Sequence, residues 1–436
     1  MESTRISPNE VLKDAYYKHI SLSNTVKRKT ADFIRFLNNI FIPLMKKRDI
    51  LFDFLFQQVY LEGSYINTHK TYNANECNLN IVLKLPVVDD GYIEFTDNKC
   101  DPGFVICILH GAIESIPLQS TCFNESTFII NLKEHLLFDP ELEGGYDDKQ
   151  VLKASLKGTP GFILSPSKTK AWMYGIVRKM ISDKEFIETF PENGIHSIKL
   201  SSIGSIITLQ SNLTNGVTLD LDIVPSFTFK CSKIFHLDTV GKEVKNFWKY
   251  GEQKKSYLEF GEITRYDDFL IYETGAPKAR YAKNRFQWRL DLIDIEKRIV
   301  YQNGCAKMII ELLEYLRDYN PEIQRLSCYA LRTAALLVIK EHPLLTWKED
   351  QLSMYFLLVL ARLREGICKR YLPFYFHPRS NILDNISTPS QVPNNEVFKM
   401  KYWLGEVINK LKFTGDMKKC ALNWEACFKT SRKKCE

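Results

Sequence analysis

The residues whose types and spacing could do chemistry are a glycine–serine pair, Gly63-Ser64, and two acidic stretches far apart in the chain. A serine hydroxyl beside the backbone N–H groups of a glycine turn suits the phosphate tail of a nucleotide, because glycine lets the backbone come close. Thirteen residues after Gly63, the stretch Glu76-Cys77-Asn78-Leu79-Asn80-Ile81-Val82-Leu83 alternates and then becomes apolar. Residues two apart on a strand face the same side, so Glu76 and Asn78 project together. The second stretch, Val217-Thr218-Leu219-Asp220-Leu221-Asp222-Ile223-Val224-Pro225, alternates too and sets Asp220 and Asp222 on one side. Carboxylates placed in this way can hold the divalent cation that neutralises phosphates. Taken alone, Gly63-Ser64 also fits an ordinary turn.

The elements that must position these residues follow from length and pattern. At 436 residues the chain can bury two cores. Its 45% hydrophobic and 12% aromatic content excludes a disordered or fibrous protein. No apolar run approaches the roughly 18 residues that span a bilayer, and the first residues lack the apolar segment of a signal peptide. The expectation is a cytoplasmic or nuclear protein without membrane contact. Eleven cysteines are scattered, which reads as buried small hydrophobes in a reducing compartment; the late trio Cys420, Cys427 and Cys435 lacks the paired spacing of a zinc site. A net charge of +7 is modest for the length and does not establish nucleic-acid binding.

Apolar spacing at Val26, Phe33, Leu37, Ile40 and Leu44 predicts a long helix from about Asn24, ending at Pro43, with Lys27, Arg28 and Arg35 among its polar residues. Strands are expected near Phe104–Leu109, Phe128–Leu132 and Ser205–Leu209, and a helix over Thr169–Ile181 with Trp172, Ile176, Val177 and Met180 on one side. Residues 241–280 are polar and punctuated by glycine, a passage between lobes. Phe286–Lys297 then opens the second lobe, and from Cys305 the chain reads as helix upon helix, with Met308, Leu312, Leu313 and Leu316 as one stripe. There is no internal repeat, Walker-A loop or His-Glu-x-x-His motif.

Gly63-Ser64, Glu76 and Asp222 together resemble the pattern of the polymerase-beta-like nucleotidyltransferases, and specifically of the Mab-21 and cyclic GMP–AMP synthase family. That pattern is Gly-Ser, then Glu-x-Asp on one strand, then a third Asp on another. Asn78 departs from it: an amide stands at the second carboxylate. Phe286-Gln287-Trp288-Arg289-Leu290, Leu326-Ser327-Cys328-Tyr329-Ala330-Leu331-Arg332 and Tyr371–Phe376 extend the resemblance over roughly residues 20–385. The resemblance implies an α+β, bilobal nucleotidyltransferase: an N-terminal segment with the spine helix over 1–50, the nucleotidyltransferase core over 51–240, and a linker with a helical Mab-21-type lobe over 241–436.

The resemblance also implies roles. Glu76 and Asp222 are the catalytic ligands of two Mg²⁺ or Mn²⁺ ions, with Asn78 as an uncharged third position. Ser64 meets the phosphates, Arg289 reads a base, and Tyr329 stacks on adenine. Glu296, Lys307, Cys328 (where serine is usual) and Arg332 (where lysine is usual) make further nucleotide contacts. Lys27, Arg28, Arg35, Lys297 and Arg298 face nucleic acid. The substrates are ATP and GTP, the product is a cyclic dinucleotide second messenger of antiviral defence, and the activator is double-stranded RNA or DNA, binding to a homodimer. Val300–Cys305 is too short for the zinc-binding insertion of cyclic GMP–AMP synthase, which favours RNA. A second reading stays open: a Mab-21-type protein that kept the fold and acts as a binding or scaffold module.

Overall fold

Ser7 opens the first described helix with a reciprocal cap. Its hydroxyl accepts from the Glu10 N–H (3.2 Å), while the Glu10 carboxylate accepts from the Ser7 N–H (2.5 Å), and Pro8 needs no partner in the first turn. Helix α1 (Pro8–Ala15) follows, with one wider turn at Tyr16–Ile20. The computed structural model describes residues 7–20, 35–62, 76–85, 93–96, 100, 104–110, 125–138, 162–190, 192, 195–203, 206–213, 218–230, 237, 268–272, 286–291, 293–376, 378, 381–383 and 394–411.

Gly63, Ser64, Lys27 and Arg28 lie outside the described residues, as does the start expected for the long helix at Asn24. The described part of that helix does not stop at Pro43. It runs through a wide turn, Leu37–Phe41, into α2 (Ile42–Arg48), with Pro43 in the first turn of α2. The Ile42 N–H reaches back five residues to the Leu37 carbonyl, and this widened turn accommodates the ring that would strain a regular helix. Asp49 then caps α3 (Ile50–Leu55), accepting from the Phe52 N–H at 2.8 Å.

The strands are β1 (Phe56–Glu62), β2 (Glu76–Leu83), β3 (Ile93–Thr96), β4 (Phe104–Leu109), β5 (Leu137–Phe138), β6 (Phe162–Leu164), β7 (Ile195–Ile203), β8 (Ile206–Leu213), β9 (Thr218–Lys230), β10 (Asp268–Tyr272) and β11 (Trp288–Asp291). They join in one sheet ordered β1-β2-β9-β10-β11-β4-β6-β5, with β8 also pairing β9. Only β2 and β9 pair in parallel among these ladders. Leu79, Ile81, Leu83, Leu221 and Ile223 are buried. The expected strand at Phe128–Leu132 is instead part of helix α4 (Glu125–His135). Its short apolar run cannot distinguish the two periods. Leu132 and Leu136, four apart, are buried while Ile130 is exposed, which is helical spacing.

Helix α5 (Pro166–Ile181) starts on the Ser165 hydroxyl, and Trp172, Ile176, Val177 and Met180 form its buried face, as expected. Trp172 reaches the Asp49 carboxylate through Nε1–H (3.2 Å). A short helix α6 (Lys184–Glu188) follows, tied by Asp183 and Glu185 to Arg48 and Lys47. Trp288 is fully buried, donates from Nε1 to the Leu164 carbonyl (2.9 Å) and meets Phe227 edge-on, which anchors β11 in the sheet.

The chain forms two compact units, and one of the divisions between them falls between Leu292 and Ile293. The segment Phe286–Lys297 is therefore shared: Trp288–Asp291 is a strand of the sheet unit, and helix α7 (Ile293–Gln302) belongs to the helical one. There, α8 (Ala306–Tyr319), α9 (Cys328–Glu341), α10 (Leu352–Lys369) and α11 (Asn394–Leu411) pack together, and Met308, Leu312, Leu313 and Leu316 are buried as one stripe. Helix α1 joins this unit. Its Asn9 accepts from the Ser353 N–H (2.7 Å) and donates to the Asp350 carbonyl, so one side chain closes the first turn of α10. Cys107 and Cys305 are buried, but Cys368 is exposed, correcting the uniform reading of the cysteines.

Tyr16 also docks here, its hydroxyl beside the buried Glu311 carboxylate on α8. Glu311 is 1% exposed. Burial pushes its carboxyl from an ordinary 4.5 up to about 7, with Tyr16 and Lys307 pulling it down and Glu314 adding to the rise. A carboxyl raised in the folded state loses stability as pH climbs from the unfolded value through the folded one, here from about 4.5 to about 7. Glu311→Gln is expected to remove that slope. The melting temperature of the variant should match wild type near pH 4 and exceed it at pH 8; equal curves across that range would contradict it.

Candidate acidic site on the central strands

The parallel pairing of β2 with β9 sets Glu76 opposite Asp220 and Asn78 opposite Asp222. On the other side of β9, β8 sets Gln210 opposite Asp220 and Thr208 opposite Asp222. In-register residues share a face, and positions two apart on one strand share it too. The backbone thus gathers Asn78, Asp220, Asp222, Thr208 and Gln210 on one face at the centre of the sheet, with position 76 in the same row as Asp220.

Each aspartate is held by its neighbour on β8. Thr208 Oγ1 donates to Asp222 Oδ1 at 2.6 Å, and Gln210 Nε2 donates to Asp220 Oδ1 at 3.1 Å. Sequence reasoning missed both partners. The alternation Thr208-Leu209-Gln210-Ser211-Asn212 was a signal that could have found them. Burial pushes the Asp222 carboxyl above its usual range; the Thr208 hydrogen bond lowers it and the nearby Asp220 charge raises it. Asp222 is therefore a half-buried anion facing a second anion.

Pro225 ends the family-like motif yet sits inside β9, paired in register with Ile81. Pairing with β8 stops at Ile223, and pairing with β10 starts at Ser226. The proline, which has no N–H to donate, stands where the strand changes its second neighbour. Beyond it, the register runs Val82, Ser226, Tyr272, Arg289 across β2, β9, β10 and β11. By register and parity, half-buried Arg289 shares the face of Asp222, two strands further along.

The candidates from Glu296 onward belong to the helical unit. Glu296 on α7 is buried and lies 3.6 Å from Arg332 on α9, which also pairs with Glu314 on α8 (3.1 Å). Glu314 and Glu296 keep the Arg332 guanidinium charged against the penalty of burial. The Cys328 sulfur accepts from Arg317 Nη1 (2.6 Å), and burial raises its thiol. Tyr329 is at the surface beside this network. Lys307 sits 3.6 Å from Glu311 and over the Tyr301 ring. Lys297 is half-buried on α7, Arg298 falls on the same helix, and Arg35 is exposed.

The profile of the Mab-21 protein HhH/H2TH-like domain matches residues 305–394, the run that contains α8, α9 and α10. A cyclic GMP-AMP synthase-like receptor from Nicrophorus vespilloides is 24% identical and aligns over 92% of both chains. Another from Ctenocephalides felis is 22% identical over 92% of this chain and 84% of its own, and one from Aethina tumida is 24% identical over 80% and 75%. The chain is similar to these cyclic GMP-AMP synthase-like receptors over most of its length, and its helical unit carries the match to the Mab-21 domain. The acidic face and the matched helical domain lie in separate units.

The donor set, carboxylate and amide oxygens, is of the kind that suits a hard divalent cation. Asp220 and Asp222 each give one oxygen to a neutral donor on β8, and Asn78 adds an amide in register with Asp222. Among the described side chains, no three His, Cys, Asp or Glu converge on one point. The Glu76 backbone is in the row, and its side chain is outside the description.

Proposed function

We propose that the chain is a nucleotidyltransferase of the cyclic GMP–AMP synthase-like kind, joining ATP and GTP into a cyclic dinucleotide when duplex nucleic acid, RNA before DNA, binds. The observation that carries this reading is the parallel, in-register pairing that faces Asn78 with Asp222 and Glu76 with Asp220. Nucleotidyl transfer needs little covalent chemistry from the protein; a ribose hydroxyl attacks a phosphate, diphosphate leaves, and the protein positions both and offsets charge. Glu76 and Asp222, with Asn78 and Asp220 beside them, would hold two Mg²⁺ or Mn²⁺ ions, which supply charge neutralisation at the phosphates when bound. Ser64 orients the triphosphate, Arg289 on the same sheet face takes a base, and Tyr329 takes the other. Lys27, Arg28, Arg35, Lys297 and Arg298 serve the duplex. Pairing with Glu314 and Glu296 gives Arg332 a structural share in that design.

One observation favours a second reading, a binding or scaffold protein: Asn78 brings no charge directly opposite Asp222. The test is to incubate the purified chain with ATP, GTP, Mg²⁺ or Mn²⁺, with and without duplex RNA, and to separate the products by chromatography. A cyclic product that depends on the duplex is expected. Asn78→Asp should lower the Mg²⁺ requirement on the order of tenfold by supplying the missing carboxylate. If neither protein forms a nucleotide product or retains ATP, the scaffold reading stands in its place.

A further inference from the structure

Helix α11 carries an exposed aromatic pair that the acidic site does not use. Phe398 and Tyr402, four residues apart, are 63% and 61% exposed, their ring centroids are 6.3 Å apart, and their planes differ by only 19°. Residues four apart on a helix lie one above the other, so the two rings line one edge. Lys401 shares that edge, and Lys399 flanks it. Gly405, one turn on, leaves room for Arg364 of α10: a Cβ there would come within 3.2 Å of Arg364 Nε. The Arg364 guanidinium reaches the Lys401 carbonyl (3.5 Å), which brings a third cation beside the rings.

Charge says what this edge would meet. From Lys399 to the C-terminus the sequence has ten Lys and Arg against four Asp and Glu, most of the chain's net charge of +7. Glu406 is the acid on the Lys399 side of the helix. A polyanion that also presents flat aromatic surfaces matches both features. A nucleobase can stack on either exposed, near-parallel ring, while lysine and arginine hold the adjoining phosphates. A paired base in a duplex offers no such face. A lipid surface would require apolar bulk rather than parallel planes, and only two large apolar groups are exposed on this helix among the described residues.

We propose that the Phe398–Tyr402 edge of α11, with Lys401 and Arg364, is a binding site for single-stranded nucleic acid, stacking an unpaired base. It goes beyond the proposed activity and is tested without it. Fluorescence anisotropy of a labelled twelve-residue oligouridylate with the full chain should show binding that weakens as salt rises, because phosphate contacts release counterions. Phe398→Ala with Tyr402→Ala should weaken it about tenfold or more at fixed salt, with an unchanged melting temperature. Phe398→Trp should bind at least as tightly as wild type, which separates stacking from damage to the fold. The proposal is overturned if the double variant binds the oligonucleotide like wild type, or if wild type does not bind it at all. It is overturned equally if the rings are needed for phosphatidylserine vesicles and not for the oligonucleotide.

Discussion

Asp222→Asn is expected to abolish nucleotide joining and, in the same protein, to raise the melting temperature. The two effects have one origin. Asp222 is half-buried, accepts a single hydroxyl, and faces the Asp220 charge, so its ionised form is disfavoured in the unliganded fold. Its carboxyl is raised in the folded state, so the penalty is present at neutral pH, where it is ionised, and disappears as pH falls below the ordinary carboxylate value. Asparagine keeps an oxygen for Thr208 and removes the charge. The expected gain is a rise of a few degrees at pH 7.5 that vanishes near pH 3. Activity should drop about a thousandfold or more, since the charge that opposes folding is the charge that would hold the metal ions against the phosphates. Duplex-dependent turnover in the variant would show that the site is elsewhere. A lower melting temperature would show that the carboxylate is stabilised by its surroundings.

The largest stability effect should come from Gly304→Ala. Gly304 joins α7 to α8 at a φ of +36°, and an added Cβ would lie 2.2 Å from the Trp347 carbonyl oxygen. That oxygen already accepts from the Cys305 N–H at 2.8 Å. Trp347 cannot step aside. It is fully buried, stacked on Tyr355 at 4.7 Å, and holds its own backbone at a φ of +50° with its N–H on the Tyr355 hydroxyl (3.1 Å). Strain and clash together should destabilise the helical unit by about 3 kcal/mol or more. Gly175→Ala is the matched control: it sits inside α5 with nothing within 4 Å of a Cβ, and should stabilise by roughly 0.5–1 kcal/mol. Denaturant unfolding of both variants would read the opposite signs. A neutral result at Gly304 would mean that the turn yields.

Much of the architecture was legible because alternation and burial agree. β9 and the Trp172 face of α5 follow from period alone, and strand parity by itself placed Asp220 beside Asp222. The parallel register with β2 was not legible, since no local pattern says which distant strand will be the neighbour. Helix α1 was missed although Ser7-Pro8-Asn9-Glu10 spells out its cap. The run at Phe128 was misread because three adjacent apolar residues fit either period, and only the burial of Leu132 and Leu136 resolves it. Pro43 misled because a proline rule for regular helices does not hold after a widened turn. The hydrogen-bond partners of the aspartates lie on β8, which no motif reaches.

The pairing of β2 with β9 has a consequence for how the molecule comes into being. Asn78 and Asp222 are about 140 residues apart, and a parallel pair cannot close by a hairpin, so the chain must bring in β9 from far away. During synthesis β2 emerges long before its partner exists. An N-terminal fragment ending ahead of Thr218 would hold Glu76 and Asn78 but neither aspartate, and Thr208 and Gln210 would be without the carboxylates they bind. The contacts that make the site are among the most distant in sequence, and such contacts form slowly and late. A nascent chain of this kind would assemble its acidic row only after β9 had been made.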